Sequence, residues 1–139
     1  MKTYATKQSD IKRQWYLVDA KDQVLGRFAS KIAFKLQGKN KPYFVTHLDC
    51  GDYVVVTNSN QIAVTGRKAK NKIYYHHSNF PSGLKSIPFD EMLEKDSRKI
   101  IERAVKNMLP KNKLRDLRMR RLKIFKDDKH IYQDKFKGK

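Results

Sequence analysis

Between residues 111 and 126 the chain reads KNKLRDLRMRRLKIFK, with eight Lys or Arg against a single acid, Asp116. Leu114, Leu117, Met119, Leu122, Ile124 and Phe125 are threaded through the same run. Apolar residues at this density need a core to bury against, and cations at this density need water or a polyanion. A solvated tail meets only the second requirement, and an ordinary core element only the first. The segment is therefore expected at a boundary, with Leu114, Leu117 and Leu122 holding it to a domain. Lys111, Lys113, Arg115, Arg118, Arg120 and Arg121 are expected to face outward. The whole chain carries net charge +18, and self-repulsion on that scale weakens a compact fold unless a partner neutralises it. Phosphates do so with release of condensed counterions, so nucleic acid is the natural partner.

A length of 139 residues suits one domain with short tails. The reading is a single α/β domain at 14–126, a basic N-terminal extension at 1–13 and a basic C-terminal tail at 127–139. Cys50 stands alone, which excludes an intrachain disulfide and a cysteine-cluster zinc site, and fits a reducing compartment. The opening residues MKTYATKQSDIKRQW hold no apolar stretch of signal-peptide type. The longest apolar runs, such as Tyr53 to Val56, are too short to span a bilayer. A soluble, cytoplasmic protein is expected.

Trp15 to Ala20 (WYLVDA) reads as a buried strand, and Gly26 to Leu36 as a helix with Phe28, Ile32 and Leu36 on one stripe. Gly38 suits the turn after it. Tyr53 to Thr57 (YVVVT) reads as a second buried strand, following the turn signal Gly51-Asp52. Ile62 to Thr65 and Ile73 to His76 are weaker strand candidates, and Ser78 to Pro88 reads as an irregular loop. Phe89 to Lys95 reads as a short helix. A stronger one follows, capped by Asp96 or Ser97, with Ile100, Ile101, Ala104, Val105, Met108 and Leu109 on its apolar face. Pro110 ends it, and the basic segment begins as helix and becomes a third strand near Leu122 to Phe125. This order implies a layered α/β domain with parallel strands. Trp15, Val18, Phe28, Ile32, Val54, Val56, Ile101, Val105 and Leu122 are the expected core.

The charge is arranged. No acid occurs between Asp22 and Asp49, an interval holding Arg27, Lys31, Lys35, Lys39 and Lys41. The first three recur every four residues, beside the apolar stripe of their helix, so one face can dock while its neighbour meets phosphates. A solvated helix face is the rival reading. A second acid-free interval carries Arg67, Lys68, Lys70, Lys72 and Lys85, together with Tyr74, Tyr75, His76, His77 and Phe80. Flat side chains among cations suit unpaired RNA bases, although strand alternation sends one of Tyr74 and Tyr75 inward. The acids gather at Asp90, Glu91, Glu94 and Asp96, where the first two suit a helix's first turn.

Catalysis finds little support. There is no GxGxxG, GxxxxGK, GxSxG or HExxH. His47, Asp49, Cys50, Asp52, His76 and His77 follow no recognised metal-ligand spacing. An RNA-modifying enzyme and a DNA-packing or membrane-surface protein remain the competing classes. The missing phosphate loop counts against the first, and the aromatics near Arg67 to Lys85 count against the second.

WYLVDA (15–20), VLGRFAS (24–30), GDYVVVTN (51–58), VTGRK (64–68), YYHHS (74–78) and MLPKNKL (108–114), followed by RLKIF, stand in an order and spacing covering roughly residues 14 to 126. Together they resemble the large-subunit ribosomal protein of the universal "L-thirteen" family in its bacterial form. The resemblance implies a three-layer α/β/α domain on a four-stranded parallel sheet. It implies binding to large-subunit ribosomal RNA early in subunit assembly, beside neighbouring large-subunit proteins, with no catalytic activity, cofactor, metal or small-molecule substrate. Within the YYHHS run, Ser78 joins His76 and His77 as an expected RNA contact. Family members often have Gly where this chain has Asn79, Ser82, Asn107 and Arg115.

Overall fold

The computed structural model describes residues 4–136. Strands β1 (Trp15–Asp19), β2 (Tyr53–Thr57) and β5 (Leu122–Ile124) form a parallel sheet in the order β1-β2-β5. Trp15 pairs with Tyr53, Val18 with Val56 and Val54 with Leu122. A separate antiparallel hairpin joins β3 (Ile73–His77) to β4 (Leu84–Pro88). The helices are α1 (Leu25–Gln37), the short α2 (Lys68–Asn71), α3 (Phe89–Met108) and α4 (Leu114–Arg120).

The general α/β class agrees with the sequence, but a four-stranded parallel sheet does not form. The candidate Ile62 to Thr65 makes one parallel bridge, Ala63 to Val24, and goes no further because Val24 leads directly into α1. The candidate at Ile73 pairs with residues 84–88, which were expected to be loop. Strands joined by the short connection 78–83 can only run antiparallel, since a parallel return needs a crossover of about a dozen residues or more. Phe28, Ile32 and Leu36 of α1, Val54 and Val56 of β2, Ile100, Ile101 and Val105 of α3, and Leu122 share one core cluster. The opposite face carries aromatic rings: Trp15 stacks on Tyr53 at 4.3 Å and 7°. Tyr132 and Phe136 lean against Trp15 from the C-terminal segment. Trp15 is thus half-buried outside the helix-side core, and Val18 packs only partly against it.

The other expected core positions lie in that cluster. Two helical arms meet within α3 at Asp96, whose φ of −154° and ψ of 86° break the helix where a cap was expected. Ser97, the next residue, is buried and hydrogen-bonds the Ser59 hydroxyl at 2.7 Å, tying α3 to the turn after β2. Asn79 and Ser82 have φ of 64° and 58°, so these two positions adopt a glycine-like backbone. Asn107 and Arg115 are helical instead, and no left-handed turn is needed where Arg115 stands.

Two loops are packed too closely for any side chain. A Cβ on Gly51 would sit 1.7 Å from the Leu36 carbonyl oxygen, and one on Gly38, at φ 78°, 2.5 Å from that of Cys50. The end of α1 and the entry to β2 are therefore pressed backbone to backbone.

Candidate nucleic-acid interface

The amphipathic pattern of α1 places its first cluster of cations. Phe28, Ala29, Ile32, Ala33 and Leu36 turn inward, so Arg27 and Lys31 are exposed on the adjoining face. Lys35 is half-buried with its Nζ 4.0 Å from the centre of the Tyr16 ring, a cation–π contact. Lys39 is exposed just past Gly38. Lys41 is different. Its Nζ donates to Asp52 Oδ1 at 2.5 Å, to the Cys50 carbonyl at 2.8 Å and to the Lys12 carbonyl at 2.7 Å. This lysine anchors the loop before β2 and is mostly withdrawn from the surface.

The second cluster surrounds α2. Arg67, Lys68, Lys70 and Lys72 are all exposed on a helix too short to bury a stripe. Lys72 and Arg103 both lie over the Tyr74 ring, at 5.4 and 5.2 Å. Tyr74 is the inward member of the tyrosine pair, and burial pushes its phenol pKa up. His76, His77 and Ser78 are exposed toward the hairpin tip. His77 is drawn into the turn, where its Nδ1 accepts a hydrogen bond from the Asn79 N–H at 2.9 Å.

The third cluster separates into two sets. Lys111, Lys113 and Arg120 are exposed, and Arg115 is half-buried. Arg118 and Arg121, expected to face outward, are inside, whereas Leu117, expected to hold the segment, is 45% exposed. Arg121 forms a bidentate pair with Asp49, with Nη2 to Oδ1 at 2.6 Å and a second contact from Nη1 to Oδ2. It also donates to the backbone carbonyls of Leu36 at 3.1 Å and Asp52 at 3.3 Å. Arg118 Nε lies 3.7 Å from the same carboxylate, and Arg13 approaches it at 3.8 Å. Burial lowers the Arg118 pKa, an effect opposed by Asp49. A guanidinium stays protonated under such pressure, so the charge is held rather than released. Asp49 and Asp52 thus act as counter-ions for buried cations.

One basic feature escaped the sequence reading. Lys99, Arg103 and Lys106 recur along α3 beside Tyr74, Met92 and Asn107 and line a shallow hollow. Their helical spacing was a usable signal, but Glu102 interrupts it and the apolar stripe of the same helix dominates the pattern. Among the described residues no helix is long and apolar enough to cross a membrane.

A family model described as ribosomal protein L13 matches residues 13–131. The chain is similar to the large ribosomal subunit protein uL13 of Legionella pneumophila (strain Corby), at 49% identity over 130 residues, covering 94% of this chain and 90% of the relative. It is 47% identical over 133 residues to the uL13 of Thermobifida fusca, covering 96% and 89%. With the uL13 of Azotobacter vinelandii it shares 51% identity over 130 residues, covering 94% and 92%. A match of this extent, on an α/β domain with its exposed cations gathered in groups, leaves one assignment: the chain belongs to the ribosomal protein L13 family.

Proposed function

We propose that this protein is a non-enzymatic structural constituent of the bacterial large ribosomal subunit, in the cytoplasm, and binds large-subunit ribosomal RNA there, entering early in assembly. The observation that carries the RNA reading is the outward placement of Arg27, Lys31 and Lys39 beside α1, of Arg67, Lys68, Lys70 and Lys72 around α2, and of Lys111, Lys113 and Arg120 near α4. Acids are absent from the sequence intervals holding the first two groups, so phosphates can approach without like-charge repulsion. His76 and Ser78 extend the second group along the hairpin, and Lys35 retains partial access beside Tyr16. Arg118, Arg121 and Lys41 are assigned to the folded domain itself, which they hold together through Asp49 and Asp52. Relief of the chain's self-repulsion favours early capture of RNA over a long-lived free state.

The purified protein should bind a large-subunit RNA fragment with steep salt dependence. Contact with about 6–10 phosphates loses roughly 10³–10⁵ in affinity between about 50 and 200 mM salt. A nearly flat plot of log affinity against log salt would refute electrostatic anchoring. Pulse labelling addresses the order of events: the chain should appear first in precursor particles, and its appearance only in finished subunits would remove the early-assembly part.

A further inference from the structure

Asp49 stands among more guanidinium charge than one carboxylate can balance. Arg121 occupies both of its oxygens, Arg118 Nε lies 3.7 Å from Oδ1, and Arg13 Nη1 lies 3.8 Å from Oδ2. Asp52, the other acid of this loop, pairs with Lys41 and forms no ion pair with the arginines. Arg13, Lys41, Arg118 and Arg121 thus share two carboxylates. Two of these cations are deeply withdrawn from water, with Arg118 2% and Arg121 7% exposed. A cation taken out of water without a full counter-ion carries a large desolvation cost. Arg118 shows the shortfall directly: its Nε is buried with no hydrogen-bond partner, since 3.7 Å to Asp49 is beyond hydrogen-bond range.

The cluster opens to solvent in a hollow lined by Arg13, His47, Asp49 and Arg121, with Leu114 and Leu117 on its α4 side. Asp49 is the only acid on this lining, and both its oxygens are already engaged by Arg121. Arg121 has five N–H donors, of which four are used by Asp49, Leu36 and Asp52, so one remains on Nη1. Arg13 is oriented by the Gly51 carbonyl, to which its Nη1 donates at 2.8 Å, and His47 is exposed. Arg118 stays behind the lining and adds its charge at short range. Donors from the N-terminal segment, the loop before β2 and the end of α4 therefore approach one hollow from different directions. Phosphate, with acceptor oxygens pointing several ways, suits such an array and the guanidinium fork.

We propose that this hollow is a phosphate-binding site, in which a phosphate group supplies the missing counter-ion of the Arg13–Arg118–Arg121 cluster and so stabilises the fold. The site follows from charges inside the domain. That RNA is the source of the phosphate rests on the functional reading above, and free phosphate is the other source. The test compares thermal melts of the full chain in sodium phosphate and in sodium chloride at one ionic strength. Phosphate should raise the melting temperature by an increment that saturates as a single site does. Arg13→Gln should weaken the apparent phosphate affinity by about tenfold, since a charge-assisted contact is lost. Lys129→Gln, an exposed cation away from the hollow, should leave it unchanged. Arg118→Met should shrink the increment, and its melt in chloride should be no lower than that of the native chain, because a buried charge short of partners is removed. No increment over chloride, no saturation, or equal affinities in Arg13→Gln and the native chain would each overturn the site. An Arg118→Met chain melting well below the native one in chloride would show the cluster to be balanced already, and would overturn it too. At fixed ionic strength, added phosphate should weaken RNA binding by the native chain more than by Arg13→Gln where RNA fills the site, and absence of competition assigns it to free phosphate. A chain that binds no RNA would sink the functional reading and leave the phosphate melts to decide the site.

Discussion

Helices α1 and α4 are both short, amphipathic and rich in cations, yet they turn opposite sides inward. In α1 the apolar stripe of Phe28, Ile32 and Leu36 is buried while Arg27 and Lys31 face water. In α4 it is Arg118 that is buried, and Arg121 just beyond the helix, while Leu117 stands half exposed. The cause lies in what each helix covers. The first lies over Val54 and Val56, which offer only hydrocarbon. The second closes an end of the domain where the Asp49 carboxylate and the carbonyls of Leu36 and Asp52 present a cluster of oxygens. A planar guanidinium with five N–H donors fits such a cluster, and a leucine would leave those oxygens unpaired. A basic residue in an RNA-binding protein is therefore no guarantee of an RNA contact.

The comparison can be broken most directly at two adjacent residues. Arg121→Gln should destabilise the protein by about 3–5 kcal/mol, because Asp49 is left partly buried without its bidentate partner. Arg120→Gln, one position away and exposed, should change stability by less than about 0.5 kcal/mol. Urea titrations of the two variants measure the difference, and equal values would erase the distinction between inward and outward arginines.

On the α1 side, Ile32→Ala should cost about 2–5 kcal/mol, since this fully buried residue is surrounded by core. A loss under about 0.5 kcal/mol would mean the stripe of α1 is not what holds it.

The outward set is sharpened by a binding experiment. Arg27→Gln, Lys31→Gln and Lys39→Gln together keep side-chain length and should leave folding intact, since all three are exposed. The slope of log RNA affinity against log salt should shrink by up to about three units if each meets a phosphate. An unchanged slope with unchanged affinity would make this a solvated face.

The smallest effect concerns acid stability. The Asp19 carboxylate accepts from the Lys21 N–H and from Asn58 Nδ2, both at 2.9 Å, and these bonds hold its pKa below the usual carboxylate value, the backbone bond contributing most. A depressed folded pKa means the contribution is complete at neutral pH and disappears as pH falls through the folded value, below about 3.9. Asp19→Asn should therefore flatten the acid limb of stability against pH, and a limb of unchanged steepness would show that these bonds do not persist in solution.

Much of this was legible along the chain, in a pattern that depends on its causes. Periodicity marked α1 and the second arm of α3, each of which buries one apolar face, while short apolar runs marked β1 and β2, of which β2 is buried on both sides and β1, read as buried, is only partly covered. The break at Asp96 was legible too, since a residue that favours caps stands ahead of the long apolar stripe. Strand β4 was hidden: Leu84-Lys85-Ser86-Ile87-Pro88, bounded by Gly83 and a proline, has weak intrinsic preference and becomes a strand only because β3 pairs with it. The candidate at Ile62 to Thr65 failed in the opposite way, carrying strand-forming residues but having only Val24 beside it.

For the candidate interface, the sequence by itself determined that the cations cluster, that two clusters exclude acids, and that α1 keeps its cations beside its apolar stripe. Those are properties of order and spacing, and helical geometry translates them without further information. Which cations are spent inside the fold was decided only by the tertiary structure. Asp49 lies far along the chain from Arg121, and Asp52 reaches Lys41 only because Gly38 and Gly51 allow the end of α1 and the entry to β2 to touch. A charge is turned inward by an oxygen that folding brings beside it, and no local pattern records that meeting.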